Sequence, residues 1–109
     1  SLAREGFWRG SINRSYYAAY CAVTGELVRH RVSFARGWNN PAHEQLLSLI
    51  EHNLSLPRES RRRIKTILRL LRHAREDADY RPAIAIDRTL ALNSLRDAAV
   101  VMKEFGVEI

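Results

Sequence analysis

The stretch from Pro57 to Tyr80, PRESRRRIKTILRLLRHAREDADY, constrains the rest of the chain more than any other. Wound as a helix at 3.6 residues per turn, it sets Ile64, Ile67, Leu68, Leu71 and Ala78 on one stripe. Arg58, Arg62, Lys65, Arg69 and Arg72 fall on another, roughly a quarter-turn away. The apolar stripe has to face a core, so the remaining segments must supply helices that cover it. Arg75 breaks the partition: its position falls among Leu68, Leu71 and Ala78, which aims a permanent charge at or beside the buried face. That guanidinium needs a carboxylate, a carbonyl or an anionic ligand.

A chain of 109 residues is long enough to bury one real core and too short for two, so residues 1–109 are read as a single domain. With 46 % hydrophobic and 28 % charged residues, 5 Gly and 3 Pro, the composition is that of a folded, helix-rich protein. The net charge of +6 raises the case for a polyanionic partner such as nucleic acid, against the alternative of a solvated basic face. Cys21 is the only cysteine, so no disulfide or cysteine-based zinc site forms within one chain. It is expected to be a small core residue in a protein of the reducing cytoplasm. No apolar run approaches the roughly 18 residues of a membrane span, and no signal peptide is read. The chain starts at Ser1 without Met, so Ser1-Leu2 is read either as an added remnant or as a cut point, with flanking sequence expected in the second case.

Arg4 to about His30 reads as a long first helix with Ile12, Tyr16, Tyr17, Ala19, Tyr20, Val23 and Leu27 on a wide apolar face. Its centre, YYAAYCAV, is apolar nearly all round, as in a helix touched on several sides, and Ala18, Ala19 and Ala22 permit close approach. Gly10 and Gly25 each weaken it by about 1 kcal/mol relative to Ala, which could break its start. Val32 to Asn40 loses periodicity and reads as a loop. Asn40-Pro41 then opens a short second helix carrying Leu46, Leu47 and Ile50 and ending near Asn53. Ser55-Leu56-Pro57 opens the third helix by the same logic, and Arg81-Pro82 closes it. Asp87 caps a fourth, with Leu90, Ala91, Leu95, Ala98, Val101, Met102 and Phe105 on its stripe and Gly106 just past its end. The expected fold is an all-α antiparallel up-and-down bundle of four helices, with room for a fifth, near 4–30, 42–53, 57–80 and 88–105.

Bundles often hold di-metal centres, but no Glu here is followed by His three residues later, so no carboxylate-bridged metal pair is expected. His43-Glu44 does not continue into a second His, and there is neither a phosphate-binding Gly-rich loop nor a nucleophile elbow. Arginines, histidines and tyrosines remain as the residues able to do chemistry, with no cofactor and no metal.

The run Arg14-Ser15-Tyr16-Tyr17-Ala18-Ala19-Tyr20, then His43, then Arg75-Glu76-Asp77-Ala78-Asp79-Tyr80, resembles the HEPN superfamily over about residues 12 to 105. The closest likeness is to its branch with an S-R-A-Y-Y-A-like first helix and an R-x-x-A-D-Y signature. The resemblance implies a four- or five-helix bundle, frequent homodimers, and RNA or nucleotide as ligand. It also implies a minimal nucleotidyltransferase protein as partner, in toxin–antitoxin or defence operons where many members are metal-independent RNases. Active members carry an Arg, four to six residues, then a His. Here Arg75 matches by context, but the residue after four intervening positions is Tyr80, whose phenol with a pKa near 10 is a poor general base at pH 7. Arg36 and His43 meet the spacing literally, though in a loop and helix start, and His43 matches a His of this branch. Arg75, Tyr80 and His43 are thus the catalytic candidates, and Arg14, Arg58, Arg62, Lys65, Arg69 and Arg72 the candidates for nucleic-acid contact.

Plainer roles are available to most of these residues. Arg14 could instead pair with Asp77 or Asp79 and lock two helices together. Tyr16, Tyr17 and Tyr20 read as core aromatics rather than a base-stacking platform, Arg61, Arg62 and Arg63 as a solvated face, and His30, His52 and His73 as surface residues. Two functions follow: an RNA- or nucleotide-directed protein, or a non-enzymatic module that binds and regulates a nucleotidyltransferase.

Overall fold

The computed structural model describes residues 2–32 and 43–106. They form four helices, α1 (Leu2–Arg29), α2 (His43–Asn53), α3 (Arg58–Tyr80) and α4 (Arg88–Glu104), and no strand. α1 packs against each of the other three, α3 also meets α2 and α4, and α2 makes no packing contact with α4. The chain is therefore an all-α bundle built on the α1–α3 pair. The expected cap at Asn40 and the loop containing Arg36 lie outside the described residues.

The ends of the helices follow local chemistry. Asp87 accepts a hydrogen bond from the Leu90 amide at 2.9 Å, supplying an acceptor to the first turn of α4. Beyond α4, Gly106 takes φ +79°, a left-handed conformation that glycine adopts without a Cβ penalty, and its amide reaches Lys103 O. Arg81, turned out of the helical region before Pro82 at φ −126° and ψ 76°, ends α3. Pro57 occupies the cap position of α3 with an extended backbone, one place earlier than the first-turn position expected for it. Gly10 and Gly25 do not interrupt α1, because packing against three helices outweighs their propensity cost.

The α3 stripe is buried as its periodicity requires, at Ile64, Ile67, Leu68, Leu71 and Ala78, with Ala74 completing it. One core cluster joins Ile64, Ile67, Leu68 and Leu71 to Tyr16, Ala19, Val23 and Leu27 of α1, Leu46 and Ile50 of α2, and Ala98 and Val101 of α4. A smaller cluster at the other end gathers Ile12, Ala74, Ala78, Ile86 and Ala91.

Three residues assigned to the core from sequence are instead exposed: Tyr17, Cys21 and Leu95. Tyr17 and Cys21 lie on a solvent stripe of α1 that runs Arg14, Tyr17, Cys21, Gly25, Val28 at helical spacing, so α1 is open on one side despite its apolar centre. In α4 the buried stripe runs Ala91, Ser94, Ala98, Val101, and the small Ser94 takes the inward place that turns Leu95 out at 52 % exposure.

An unforeseen tie closes the second cluster. Arg9 of α1 donates from Nη1 to the carbonyls of Asp77 (3.1 Å) and Ala78 (2.7 Å), and from Nη2 to Ile84 O (2.6 Å) and, more weakly, Pro82 O (3.4 Å). Glu5, one turn earlier, holds the same guanidinium at 2.9 Å. A cation thus satisfies terminal carbonyls of α3, where the helix dipole favours positive charge.

Replacing Leu71 by Ala should cost about 2–5 kcal/mol through the cavity it leaves, whereas Arg62→Ala should stay within about 0.5 kcal/mol. Arg9→Met should cost about 1–3 kcal/mol, because it strips donors from partly buried carbonyls. Urea titrations of the three variants check this, and a Leu71→Ala protein as stable as Arg62→Ala would show the faces of α3 to be misassigned.

Candidate functional site

Arg75 sits at the edge of the α3 stripe with its side chain 20 % exposed. Its Nε is 3.2 Å from Asn13 Oδ1 and 3.4 Å from a carboxylate oxygen of Asp79, one turn along. Its Nη2 reaches the Tyr80 hydroxyl at 3.4 Å. Above and around the guanidinium stand the rings of Tyr17, Tyr16 and Tyr80, with centroids 5.0, 5.4 and 5.8 Å from Cζ. Three aromatic faces and one long carboxylate contact therefore compensate the charge. Nη1 has no hydrogen-bond partner among the described residues and is not sealed from solvent. The group is held on several sides and open on the edge that would meet an anion.

Tyr16 joins this cluster to a second one. Buried beneath Arg75, it shares a hydrogen bond of 3.2 Å with Nδ1 of His43 at the start of α2. Burial pushes the Tyr16 phenol above its ordinary value, against the pull of Arg72 and Arg75. Burial, aided by Arg72, holds the His43 imidazole below its usual 6.5. Both groups are neutral at pH 7. His43 also lines an open cleft of about 350 Å³ between α2 and α3, with Glu44, Arg69, Arg72, His73 and Glu76 around it.

The basic stripe divides in two. α2 supplies carboxylates to part of it: Lys65 pairs with Glu51 at 3.0 Å, and Arg72 with Glu44 at 3.7 Å as well as with Glu76 of α3 at 2.9 Å. Arg58, Arg62 and Arg69 are exposed and make no ion pair among the described residues. Of the neighbouring triplet, Arg62 and Arg63 lie on the solvated face read for all three, Arg63 with Glu104 of α4 as a surface partner, whereas Arg61 turns inward to Leu56 O. His30 and His73 are on the surface with carboxylate partners, Glu26 and Asp77.

Arg14 is not brought to Arg75. It lies exposed over Gly10, where an added Cβ would be 3.1 Å from its Nη1, and lines a groove with Ala18 of α1 and Leu95, Ala99 and Met102 of α4. The pairing with Asp77 or Asp79 expected for it is absent: Asp77 serves Arg81 and His73, and Asp79 serves Arg75. Its neighbours Asn13 and Tyr17 reach the cluster instead, Tyr17 from the edge of the solvent stripe with its ring turned to the guanidinium. Sequence reasoning passed over Asn13 and read Tyr17 as a core aromatic. The available signal was that they sit at i−3 and i+1 from Tyr16, which a charge on α3 would have to meet.

Among the described residues no three His, Cys, Asp or Glu side chains are grouped to hold a metal ion, and no helix is long and apolar enough to cross a membrane. The chemistry on offer is that of a fixed guanidinium, a neutral imidazole and tyrosine hydroxyls.

His43 gives the site a signature in pH. Its folded pKa is depressed, so the unfolded chain takes up a proton near pH 6.5 before the folded one does. The stability it contributes is intact above that value and is lost as pH falls below 6.5 toward its folded pKa. The groups that bear on it are Arg69, Arg72 and Glu76 of α3, Tyr16 of α1 and its neighbour Glu44. Melting curves between pH 7.5 and 5.5 should fall for the unaltered protein and flatten for His43→Gln, and parallel curves would exclude His43 as the source.

No curated protein and no solved structure matches the chain significantly. The HEPN domain family profile matches residues 1–108, almost the entire sequence. With that match, over a four-helix bundle whose third helix presents Arg75 to a tyrosine cluster, the chain belongs to the HEPN domain family.

Proposed function

We propose that this HEPN domain binds RNA or nucleotide through phosphate, in the toxin–antitoxin or defence setting and beside the minimal nucleotidyltransferase that its family likeness implies. The observation that carries the reading is the open Nη1 edge of Arg75. A guanidinium whose role was only to balance Asp79 would direct its fork at the carboxylate, whereas here the contact with Asp79 is a long one from Nε, at 3.4 Å. An incoming phosphate can take the Nη1–Nη2 edge with two parallel N–H donors, the geometry at which Arg surpasses Lys. Arg69 and the Arg72 side of the α2–α3 cleft lie farther along the same helix and extend the positive surface.

The reading is of binding first. Tyr80 stands where active relatives carry His, and its phenol does not serve as a base at pH 7. His43, its imidazole neutral, lines the cleft beside Arg72, and cleavage by this protein would run through the ring nitrogen that Tyr16 does not hold.

A second reading is a non-enzymatic module that docks and regulates the nucleotidyltransferase, or pairs with a second copy of itself. What favours it is the exposed Leu95, in a groove with Ala18, Ala99 and Met102 where core was expected. An apolar groove of this kind suits a protein surface better than a phosphate backbone.

Arg75→Lys decides between the roles of Arg75. It should shift the melting temperature little and weaken RNA binding about tenfold or more, because an ammonium cannot make the paired contact. Arg75→Ala should cost about 1–3 kcal/mol, less than a broken buried ion pair, because Asp79 is partly exposed and stays solvated. Undiminished RNA affinity in Arg75→Lys removes Arg75 from the site.

Salt separates the two functional readings. RNA affinity should fall steeply with salt, and Arg62→Gln with Arg69→Gln should flatten the log–log slope by about 0.7 each for a single strand. Lys65→Gln, whose cation is already paired with Glu51, should change it less. Absence of RNA binding at low salt would leave the partner-docking reading.

A further inference from the structure

Tyr17 and Tyr80 come from different helices, and both stand exposed, at 44 % and 66 % of their surfaces, beside the same guanidinium. Exposed tyrosines are common, but a pair held this way is not explained by packing. Each ring has the Arg75 cation over it, which fixes its position, and Tyr17 is further braced edge-on by Tyr16 and Tyr20, at 5.5 and 6.4 Å between centroids. Tyr16, by contrast, has its ring buried and its hydroxyl committed to His43. The Tyr80 hydroxyl accepts from Arg75 at 3.4 Å, which orients that ring too. The outcome is two preorganised aromatic surfaces flanking a cation with one open edge.

From this we infer that Tyr17 and Tyr80 form a stacking subsite for an unpaired nucleobase, so that a nucleotide of single-stranded RNA is held by its base on the tyrosines and by its phosphate on Arg75. The inference rests on the phosphate-binding reading and adds the strand class and the residues that grip the base. A base within a duplex has both faces covered by its neighbours and cannot reach such a surface, whereas a single strand can splay one out. The cation beneath the rings adds to the attraction, since a guanidinium is itself a platform for planar π systems. Stacking asks only for a π face, so the subsite tolerates any base and gives strand selectivity rather than sequence selectivity.

The test compares three labelled probes at low salt: a twelve-nucleotide single-stranded RNA, an abasic ribose-phosphate strand of the same length, and a blunt RNA duplex. The unaltered protein should bind the single strand about tenfold more tightly than either other probe. Tyr17→Ala and Tyr80→Ala, both at exposed positions and confirmed folded by their melting curves, should each bring the affinity for the single strand close to that for the abasic strand, any loosened hold on Arg75 lowering both probes alike. Tyr17→Phe and Tyr80→Phe keep the π face and should restore it. Equal affinity for the single and abasic strands in the unaltered protein, or Phe variants as weak as the Ala ones, would overturn the stacking subsite while phosphate binding stands. No binding of any probe at low salt would overturn both.

Discussion

A charge that cannot be neutralised by proton loss, placed at the edge of a buried stripe, governs how this bundle is put together. Arg75 follows Leu68 and Leu71 on α3 and cannot leave their face without unwinding the helix. Three tyrosine rings and the Asn13 amide oxygen meet it, and a carboxylate stands at the margin. Aromatic faces stabilise a cation without demanding the full desolvation of a second ion, so the charge stays near the core at modest cost. The YYAAY run of α1 then has a reason beyond packing: Tyr16 and Tyr17 are a neutral counter-surface for Arg75.

Tyr16 carries two duties that pull in one direction. Its ring faces the guanidinium and its hydroxyl holds His43, so the start of α2 is fixed relative to α3 through a single side chain of α1. α2 is the most lightly packed helix, and its packing contacts run only to α1 and α3. The buried neutral hydrogen bond, together with the Glu51–Lys65 and Glu44–Arg72 pairs, sets its rotation, since exposed ion pairs alone are worth little.

The fold was legible because its signals are local. The α3 stripe, the Asp87 cap, the Arg81-Pro82 stop and Gly106 each act within a turn of the residues that show them. What depended on the rotation of a helix about its own axis was harder to read. α1 is apolar around its centre, so periodicity alone could not say that Tyr17 and Cys21 face outward, and the inward turn of Ser94 is what displaces Leu95. The same division holds at the candidate site. The Arg75–Asp79 contact is an i,i+4 relation visible in the sequence, whereas Asn13 is 62 positions away from Arg75. Arg14 has the right charge for a cross-helix pair and lies on the wrong side of α1. Arg9 left almost no trace, because its acceptors are backbone carbonyls that any sequence would present.

Those carbonyls lie 68 to 75 positions from Arg9 along the chain. The clasp therefore gains nothing until the start of α1 has met the end of α3, and the loop-closure entropy for that meeting is lost before its hydrogen bonds return anything. Arg9 should thus act as a late-closing latch, and its replacement should speed the opening of the folded chain more than it slows folding. The linker from Arg81 to Ile86 and the last turn of α3 share this latch with the first turns of α1. Their amides should exchange with solvent as one cooperative unit, separate from the larger core around Leu68 and Val23.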